Sequence, residues 1–302
     1  MYFQLCVGHS QLERSPLTML FPSVRNTSLL VLGALIAFNP ILSGANDVSV
    51  PKDPLGPLKV ALDYGLAINW PQEQDANIKN ARRNWQFSSH IVFANPVGNS
   101  DEANPSISDG QLWQIARDAA DEMTVDRKQY GIMRDQAEPT AMGILAWGNE
   151  IILASSMKGA GSFSYDFLNG DTPVGRRLQQ CQIVWRDTSP PERVNQLHDN
   201  RGNCAEPMAA HLYYKNNNVP LKDRKARVGT WVKVQRQGWK QIDPSGTGRE
   251  DVWGCNLFTA DQGLRVLDTN TPPEPYTLAN LAGGPVRIDQ IQLCGGEPRV
   301  FF

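Results

Sequence analysis

The sequence predicts an α/β protein with a three-layer mixed sheet and helices on both faces, over about residues 138–302. An amphipathic helix is expected at 110–130, where Ser108 and Asp109 provide its cap. Two strand-like apolar runs follow at 140–147 and 150–156, separated only by Gly148 and Asn149, which strongly favours a hairpin. A loop that runs into a second helix comes next, and the order of helix, hairpin and helix suggests the fold class.

The remaining elements are less regular. Residues 46–84 look weakly ordered, since the segment 50–57 is rich in proline and reads as a linker. Alternating runs predict strands at 228–235 and 286–293. We therefore expect an N-terminal region, 46–137, that packs on the main domain or precedes it.

Composition excludes little about function. The chain has 302 residues, enough for one or two domains, with 41% hydrophobic and 20% charged residues. Its formal net charge of −2 provides no strong basic field to attract nucleic acid non-specifically. A nucleic acid or a nucleotide remains open as a substrate.

The N-terminal segment is predicted to be a signal peptide within residues 1–45. The uncharged apolar run 28–38 follows Arg25 and precedes the small residues 43–45. The run is short for a membrane span, so a transmembrane anchor is the weaker alternative. We expect a secreted, extracellular protein without stable membrane association; Met19 is an alternative start.

Removal of that segment would leave four cysteines. An even number in a secreted chain permits two disulfides with three possible connectivities. The cysteines concerned are Cys181, Cys204, Cys255 and Cys294.

The segment 201–214 carries the main chemical signal. Asn203 is a good N-cap and Pro207 fits only a first helical turn, so a helix should begin close to Cys204. The helix dipole at that end favours a thiolate, the form of cysteine that binds metals. A purely structural alternative is that Glu206 completes a capping box with Asn203 and that Cys204 is a buried or disulfide-bonded thiol.

Cys204-Ala205-Glu206 at a helix start resembles the first zinc motif of the cytidine deaminase-like superfamily. Asn-Cys-Ala-Glu-Pro, at residues 203–207, is similar to the variant of secreted toxin deaminases. The resemblance implies that Cys204 binds zinc and that Glu206 is not a ligand but shuttles the proton of the zinc-bound water.

The second zinc motif of that family, Pro-Cys-x-x-Cys, is matched only in part. Cys255 fits the first cysteine and is the second expected zinc ligand, whereas Gly254 replaces the proline and Phe258 the second cysteine. A catalytic zinc takes three protein ligands and a water, so one ligand is left unidentified. His211 would lie roughly 10 Å along the helix from Cys204 and is expected to be structural. His198, in the preceding loop, is a looser candidate.

The resemblance implies a zinc-dependent deaminase. The substrate would be a base in a nucleoside, a nucleotide or single-stranded nucleic acid, and the protein a secreted toxin or effector. The alternative is an inactive secreted binding protein on the same scaffold, with a Cys204–Cys255 disulfide in place of zinc. A third hypothesis makes Cys204 a nucleophile activated by a histidine.

Overall fold

The computed structural model describes residues 48, 50–70, 84–159, 161–166 and 172–301. The predicted signal peptide lies outside these residues, so its cleavage stays a prediction. Within the described ranges no helix combines the length and apolar character that a membrane span requires.

The described chain forms a mixed α/β structure around one sheet. Its strands are β1 (Ala61–Leu62), β2 (Phe87–Phe93), β3 (Ala141–Trp147), β4 (Glu150–Ser155), β5 (Arg227–Val234), β6 (Gly238–Ile242), β7 (Arg265–Val266), β8 (Pro285–Gln290) and β9 (Arg299–Phe301). Its α-helices are α1 (Tyr64–Asn69), α2 (Asp109–Asp126), α3 (Pro173–Thr188), α4 (Ala205–Asn216) and α5 (Cys255–Asp261).

The nine strands pair in the order β6-β5-β3-β4-β2-β8-β9, with β1 on β2 and β7 on β5. Every pair is antiparallel except β5 and β7, which run parallel. The sheet is therefore mixed, as predicted, although only its short β7 strand makes it so.

The predicted hairpin is confirmed. Strands β3 and β4 pair from Met142 opposite Ser155 to Trp147 opposite Glu150. Gly148 takes a φ of +50°, a left-handed conformation that glycine adopts at no steric cost. The two-residue Gly-Asn turn therefore fixes the register of the strands beneath α4.

The N-terminal region contributes directly to this sheet. Strand β2 lies between β4 and β8, so the boundary predicted at residue 137 does not separate two sheets. The expectation of weak order is wrong for the residues just after the linker, because Leu58, Val60 and Leu62 are buried in the core. Apolar positions that alternate next to a proline-rich run mark strand β1, which pairs with β2.

Each face of the sheet has its own apolar core. Ile144 packs with Leu112 and Ile115 of α2, whereas the next residue, Leu145, packs with residues of α3, α4 and α5. Successive strand side chains point to opposite faces, so the two clusters lie on opposite sides of β3. Two helices of the second cluster, α4 and α5, begin beside Cys204 and at Cys255, the residues that carry the chemical signal.

Candidate metal centre

Helix α4 begins one residue later than the sequence suggested. Its N-cap is Cys204 rather than Asn203, and no side chain makes a capping hydrogen bond there. The predicted capping box between Asn203 and Glu206 is therefore wrong. Nδ2 of Asn203 instead donates to the carbonyl oxygen of Gly161 at 2.8 Å. Glu206 therefore does not cap the helix. The Cys204 thiol lies at the positive end of the helix dipole.

Helix α5 begins with Cys255, and Gly254 is its N-cap. A β-carbon on Gly254 would lie 2.3 Å from Oγ and 2.5 Å from the carbonyl oxygen of Ser245, so no side chain fits. The Gly254 N–H also donates to Oδ1 of Asn256 at 3.1 Å, a bond that proline could not make. The contacts with Ser245 and Asn256 therefore explain why this position holds Gly254 rather than the proline of the zinc motif.

His198 is held against Cys255 by the segment that leads into α5. The N–H of Asp199 donates to the carbonyl oxygen of Trp253 at 3.0 Å, and the Trp253 indole donates to the carbonyl of Gln196 at 3.0 Å. The His198 ring meets the Trp253 ring edge-on, with centroids 4.9 Å apart. These contacts tie the loop before α4 to the start of α5.

Three potential metal ligands meet at this point. His198, Cys204 and Cys255 are all buried, and one donor atom from each lies within 4.8 Å of the others. His198, the weaker candidate in the sequence, thus stands beside the two predicted cysteines. His211 lies elsewhere, with Nε2 at 3.0 Å from Oγ of Ser164, in agreement with its expected structural role. Phe258 is fully buried in the apolar core and leaves the position of the missing cysteine without a donor.

The three residues fit a zinc ion in number and type, and the pair His198 and Cys255 also fits it in spacing. Zn–S bonds of about 2.3 Å and Zn–N bonds of about 2.0–2.1 Å in tetrahedral geometry put sulfur and nitrogen about 3.6 Å apart. Sγ of Cys255 lies 3.6 Å from Nε2 of His198. Two thiolates and one imidazole also leave a fourth position open, as catalytic zinc sites do.

One feature of His198 must change for zinc to bind through Nε2. Its Nδ1 accepts the N–H groups of Asn200 and Gly202 at 3.1 and 3.3 Å, which places the ring proton on Nε2. Ligation through Nε2 moves that proton to Nδ1. The proton on Nδ1 would then face both backbone N–H groups, so these two donors would have to move.

The electrostatic surroundings leave the cluster without a positive charge. Burial lowers the pKa of His198 to about 4, so the imidazole is neutral at pH 7. Burial raises the pKa of Cys255 well above its ordinary value, and the neighbouring Cys204 and Glu206 raise it further. A bound cation would reverse this situation, because a metal ion stabilises thiolates and takes a neutral imidazole as its ligand.

The disulfide expected under the alternative hypothesis is absent from the described residues. Cys181, Cys204 and Cys255 are all free thiols. None of the three connectivities predicted for two disulfides is therefore present in the structure. The close approach of Cys204 to Cys255 is a contact between thiols.

A cavity of about 380 Å³ opens beside the cluster. Its lining includes Cys204, Glu206 and Asn203 from the start of α4, Thr230 of β5 and Ser245. Burial raises the pKa of the Glu206 carboxyl, while hydrogen bonds from Thr230 and Cys255 oppose that rise. Typical ligand sites occupy about 300–1,000 Å³, so a small molecule could reach both the thiol and the carboxylate.

Sequence reasoning missed two polar residues at the site. Oγ of Ser245 accepts the N–H of Cys255 at 3.0 Å and lies 3.7 Å from Sγ of Cys204, between the two cysteines. Thr230 reaches Glu206 from the sheet. Ser245 belongs to a turn-rich segment and Thr230 to an ordinary strand, so neither carries a signal in the sequence.

The chain matches no protein-family model, no curated protein and no solved structure.

Proposed function

We propose that this protein is a zinc-dependent deaminase that hydrolyses the exocyclic amine of a nucleobase, on a deaminase-like three-layer scaffold. The substrate would be a nucleoside, a nucleotide or a base in single-stranded nucleic acid. One observation carries the proposal: His198 lies beside Cys204 and Cys255 as a third potential ligand, and Glu206 lines the cavity that Cys204 also lines.

His198, Cys204 and Cys255 would hold the zinc ion. The ion, when bound, supplies a Lewis acid that activates water for attack on a carbon of the base. A bound zinc ion would stabilise the thiolate form of both cysteines. The N–H of Cys255, bound to Ser245 at 3.0 Å, fixes the start of α5 beside Cys204.

Glu206 would move protons during the reaction. Water adds its oxygen to the ring carbon, the bond from that carbon to the amine breaks, and ammonia leaves. The Glu206 carboxylate takes one proton from the water and gives it to the ring nitrogen, and then takes the proton of the resulting hydroxyl and gives it to the departing amine. Its burial and its contact with Thr230 hold the carboxyl in one orientation inside the cavity.

The alternatives have less support. An inactive scaffold in which a disulfide replaces zinc does not agree with free thiols at Cys204 and Cys255. Cysteine catalysis would need a thiolate paired with a protonated imidazole, as in proteases. The thiol nearest to His198 is Cys255, which is fully buried, and burial disfavours both charged forms.

The test combines metal analysis with a deaminase assay. We expect protein purified without chelator to contain one zinc per chain, with Cys204 and Cys255 protected from alkylation until the zinc is removed. It should release ammonia from at least one of cytidine, adenosine, guanosine, their nucleotides or single-stranded oligonucleotides. Glu206→Gln should abolish this activity and keep the zinc.

Glu250→Gln is the matched control, because Glu250 is an exposed glutamate on the segment leading to Cys255. Its zinc content and activity should equal those of the wild type. Metal-free protein, or full activity in Glu206→Gln, would contradict the proposal.

A further inference from the structure

Ser245 is held firmly against the start of α5. Its Oγ accepts the N–H of Cys255 at 3.0 Å, and its carbonyl oxygen accepts the N–H of Asn256 at 3.0 Å. The backbone of Gly254 passes so close that a β-carbon on that residue would lie 2.3 Å from Oγ of Ser245. These contacts fix the position of the Ser245 side chain.

The same hydroxyl also contacts the other predicted cysteine ligand. Sγ of Cys204 lies 3.7 Å from Oγ of Ser245, in a hydrogen bond that either atom could donate. A serine hydroxyl has one proton and two lone pairs, and one lone pair accepts the Cys255 N–H. The proton of Ser245 can therefore point towards Sγ of Cys204.

Metal binding decides which atom of this contact is the donor. In the free protein, the Cys204 thiol can donate to Oγ or accept from it. A cysteine that ligates a metal is a thiolate and has no proton to donate. With a metal bound, the contact can only be a hydrogen bond from the Ser245 hydroxyl to the Cys204 sulfur.

Such a bond has a particular value in a site with two thiolates. Two thiolates cancel the double positive charge of a zinc ion, whereas three neutral imidazoles, another common ligand set, leave that charge in place. A hydrogen bond to a thiolate withdraws negative charge from its sulfur. The metal then keeps more of its positive charge and acidifies water more strongly.

Given the proposed zinc-dependent function, we infer that Ser245 is a positioning residue whose hydroxyl donates to the metal-bound Cys204 thiolate and so strengthens the metal as a Lewis acid. Ser245 acts through Cys204 and not on the reacting atoms of the substrate. The Cys255 N–H holds the hydroxyl in place, so one side chain connects the two cysteine ligands.

Cobalt(II) in place of zinc provides the test, because the charge-transfer absorption from thiolate to cobalt reports the charge on sulfur. Full-length wild type and Ser245→Ala are loaded with cobalt and their spectra compared. We expect the thiolate band of Ser245→Ala at longer wavelength, since a sulfur without its hydrogen bond gives up an electron more easily. Ser245→Thr keeps the hydroxyl and should have the wild-type band.

Ser156→Ala is the matched control. Ser156 lines the same cavity, and its Oγ also accepts a backbone N–H, that of Ala141 at 3.3 Å. This bond joins β3 to the end of β4 and involves no cysteine. The cobalt band of Ser156→Ala should therefore coincide with that of the wild type.

The outcomes separate this inference from the proposed function. An unchanged band in cobalt-loaded Ser245→Ala, even with weaker metal binding, would show that Ser245 only anchors α5, and would overturn the inference alone. If Ser245→Ala does not fold, a crystal structure of the zinc-loaded wild type decides. Oγ of Ser245 should lie no farther from Sγ of Cys204 than 3.7 Å, and a hydroxyl turned to another acceptor would overturn the inference. A wild type that binds neither cobalt nor zinc would contradict the proposed function as well.

Discussion

Two buried histidines of this protein have opposite electrostatic surroundings. His198 and His90 expose 2% and 4% of their surface, so burial alone does not distinguish them. His90 lies between Asp289 at 2.8 Å and Glu150 at 2.8 Å, and Arg287 pairs with Asp289 at 2.7 Å. His198 has two backbone N–H groups and a thiol around it instead.

The pKa values follow from these partners. Burial disfavours the charged form of both rings. At His90 the hydrogen bonds and negative charges of Asp289 and Glu150 outweigh burial, and the pKa rises above its ordinary value. At His198 no carboxylate is among the groups that act on the ring, and the pKa falls to about 4. A permanently neutral imidazole suits a metal ligand, whereas a paired cation suits a structural role.

The largest expected effect is stabilisation by zinc. At free zinc near 1,000 times its dissociation constant, the free energy of unfolding should rise by about 4 kcal/mol. Cys255→Ser should lose nearly all of this gain, because one of three ligands is missing. Cys181→Ser, which changes a buried thiol outside the cluster, should keep it. Urea denaturation at a fixed free zinc concentration measures the stabilisation of each variant. Equal stabilisation of the two variants would contradict the expected difference between Cys255 and Cys181.

His90→Gln should lower the free energy of unfolding by about 3 kcal/mol, because a buried pair loses its cation. This value lies at the low end for such pairs, since Arg287 still neutralises Asp289 and 27% of the Glu150 side chain is exposed. Zinc affinity should be unchanged. Denaturation and zinc competition together test this; weaker zinc binding would show that the two histidines are not independent.

Gly202→Ala should lower the free energy of unfolding by roughly 2 kcal/mol and weaken zinc binding. Gly202 has a φ of +69°, and a β-carbon there would lie 3.0 Å from Leu178 and 3.1 Å from Ser164. Gly238→Ala is the matched control, with a φ of +77° and open space around it. In the control, the free energy of unfolding should fall by roughly 1 kcal/mol, because only backbone strain is added, and the zinc affinity should be unchanged. Equal losses of stability in both variants would exclude a steric role for Gly202.

The smallest effect is a pH dependence that belongs to His90. Its raised pKa means that its stabilising contribution is complete below the unfolded pKa of about 6.5 and is lost as the pH rises through the folded value. The loss is about 1.4 kcal/mol for each unit by which the folded pKa exceeds the unfolded one. As the pH rises above about 6.5, the wild type should progressively lose this extra stability relative to His90→Gln. Parallel curves for the two proteins in urea denaturation would contradict the assignment.

Local signals in the sequence predicted much of the architecture. The signals lie within a few residues of the elements they define. Examples are the Gly148-Asn149 turn between two apolar runs and the Ser108 cap of α2. The place of β2 inside the sheet could not be predicted, because its neighbour β8 lies far along the chain and strand order carries no local signature.

The residues of the candidate site also differ in how well the local sequence predicted them. Cys204 and Cys255 were predicted from short motifs at helix starts, and the structure brings them together. His198 was only a weak candidate, since its position depends on the hydrogen bond from Asp199 to Trp253, a contact across the fold. Asn203 was predicted to be an N-cap from its residue type, but its side chain donates to Gly161 instead.

The central position of β2 has a consequence for how the molecule folds. Strand β2 pairs with β4 and also with β8, so His90 faces Ile152 on one side and Asp289 on the other. Closing such sequence-distant pairs costs chain entropy before it yields contacts, which slows folding. During synthesis, β3, β4 and α4 emerge well before β8. Helices α4 and α5 can therefore pack on a partly formed sheet, in which the edge of β2 from His90 to Phe93 stays open to non-native pairing until β8 is synthesised.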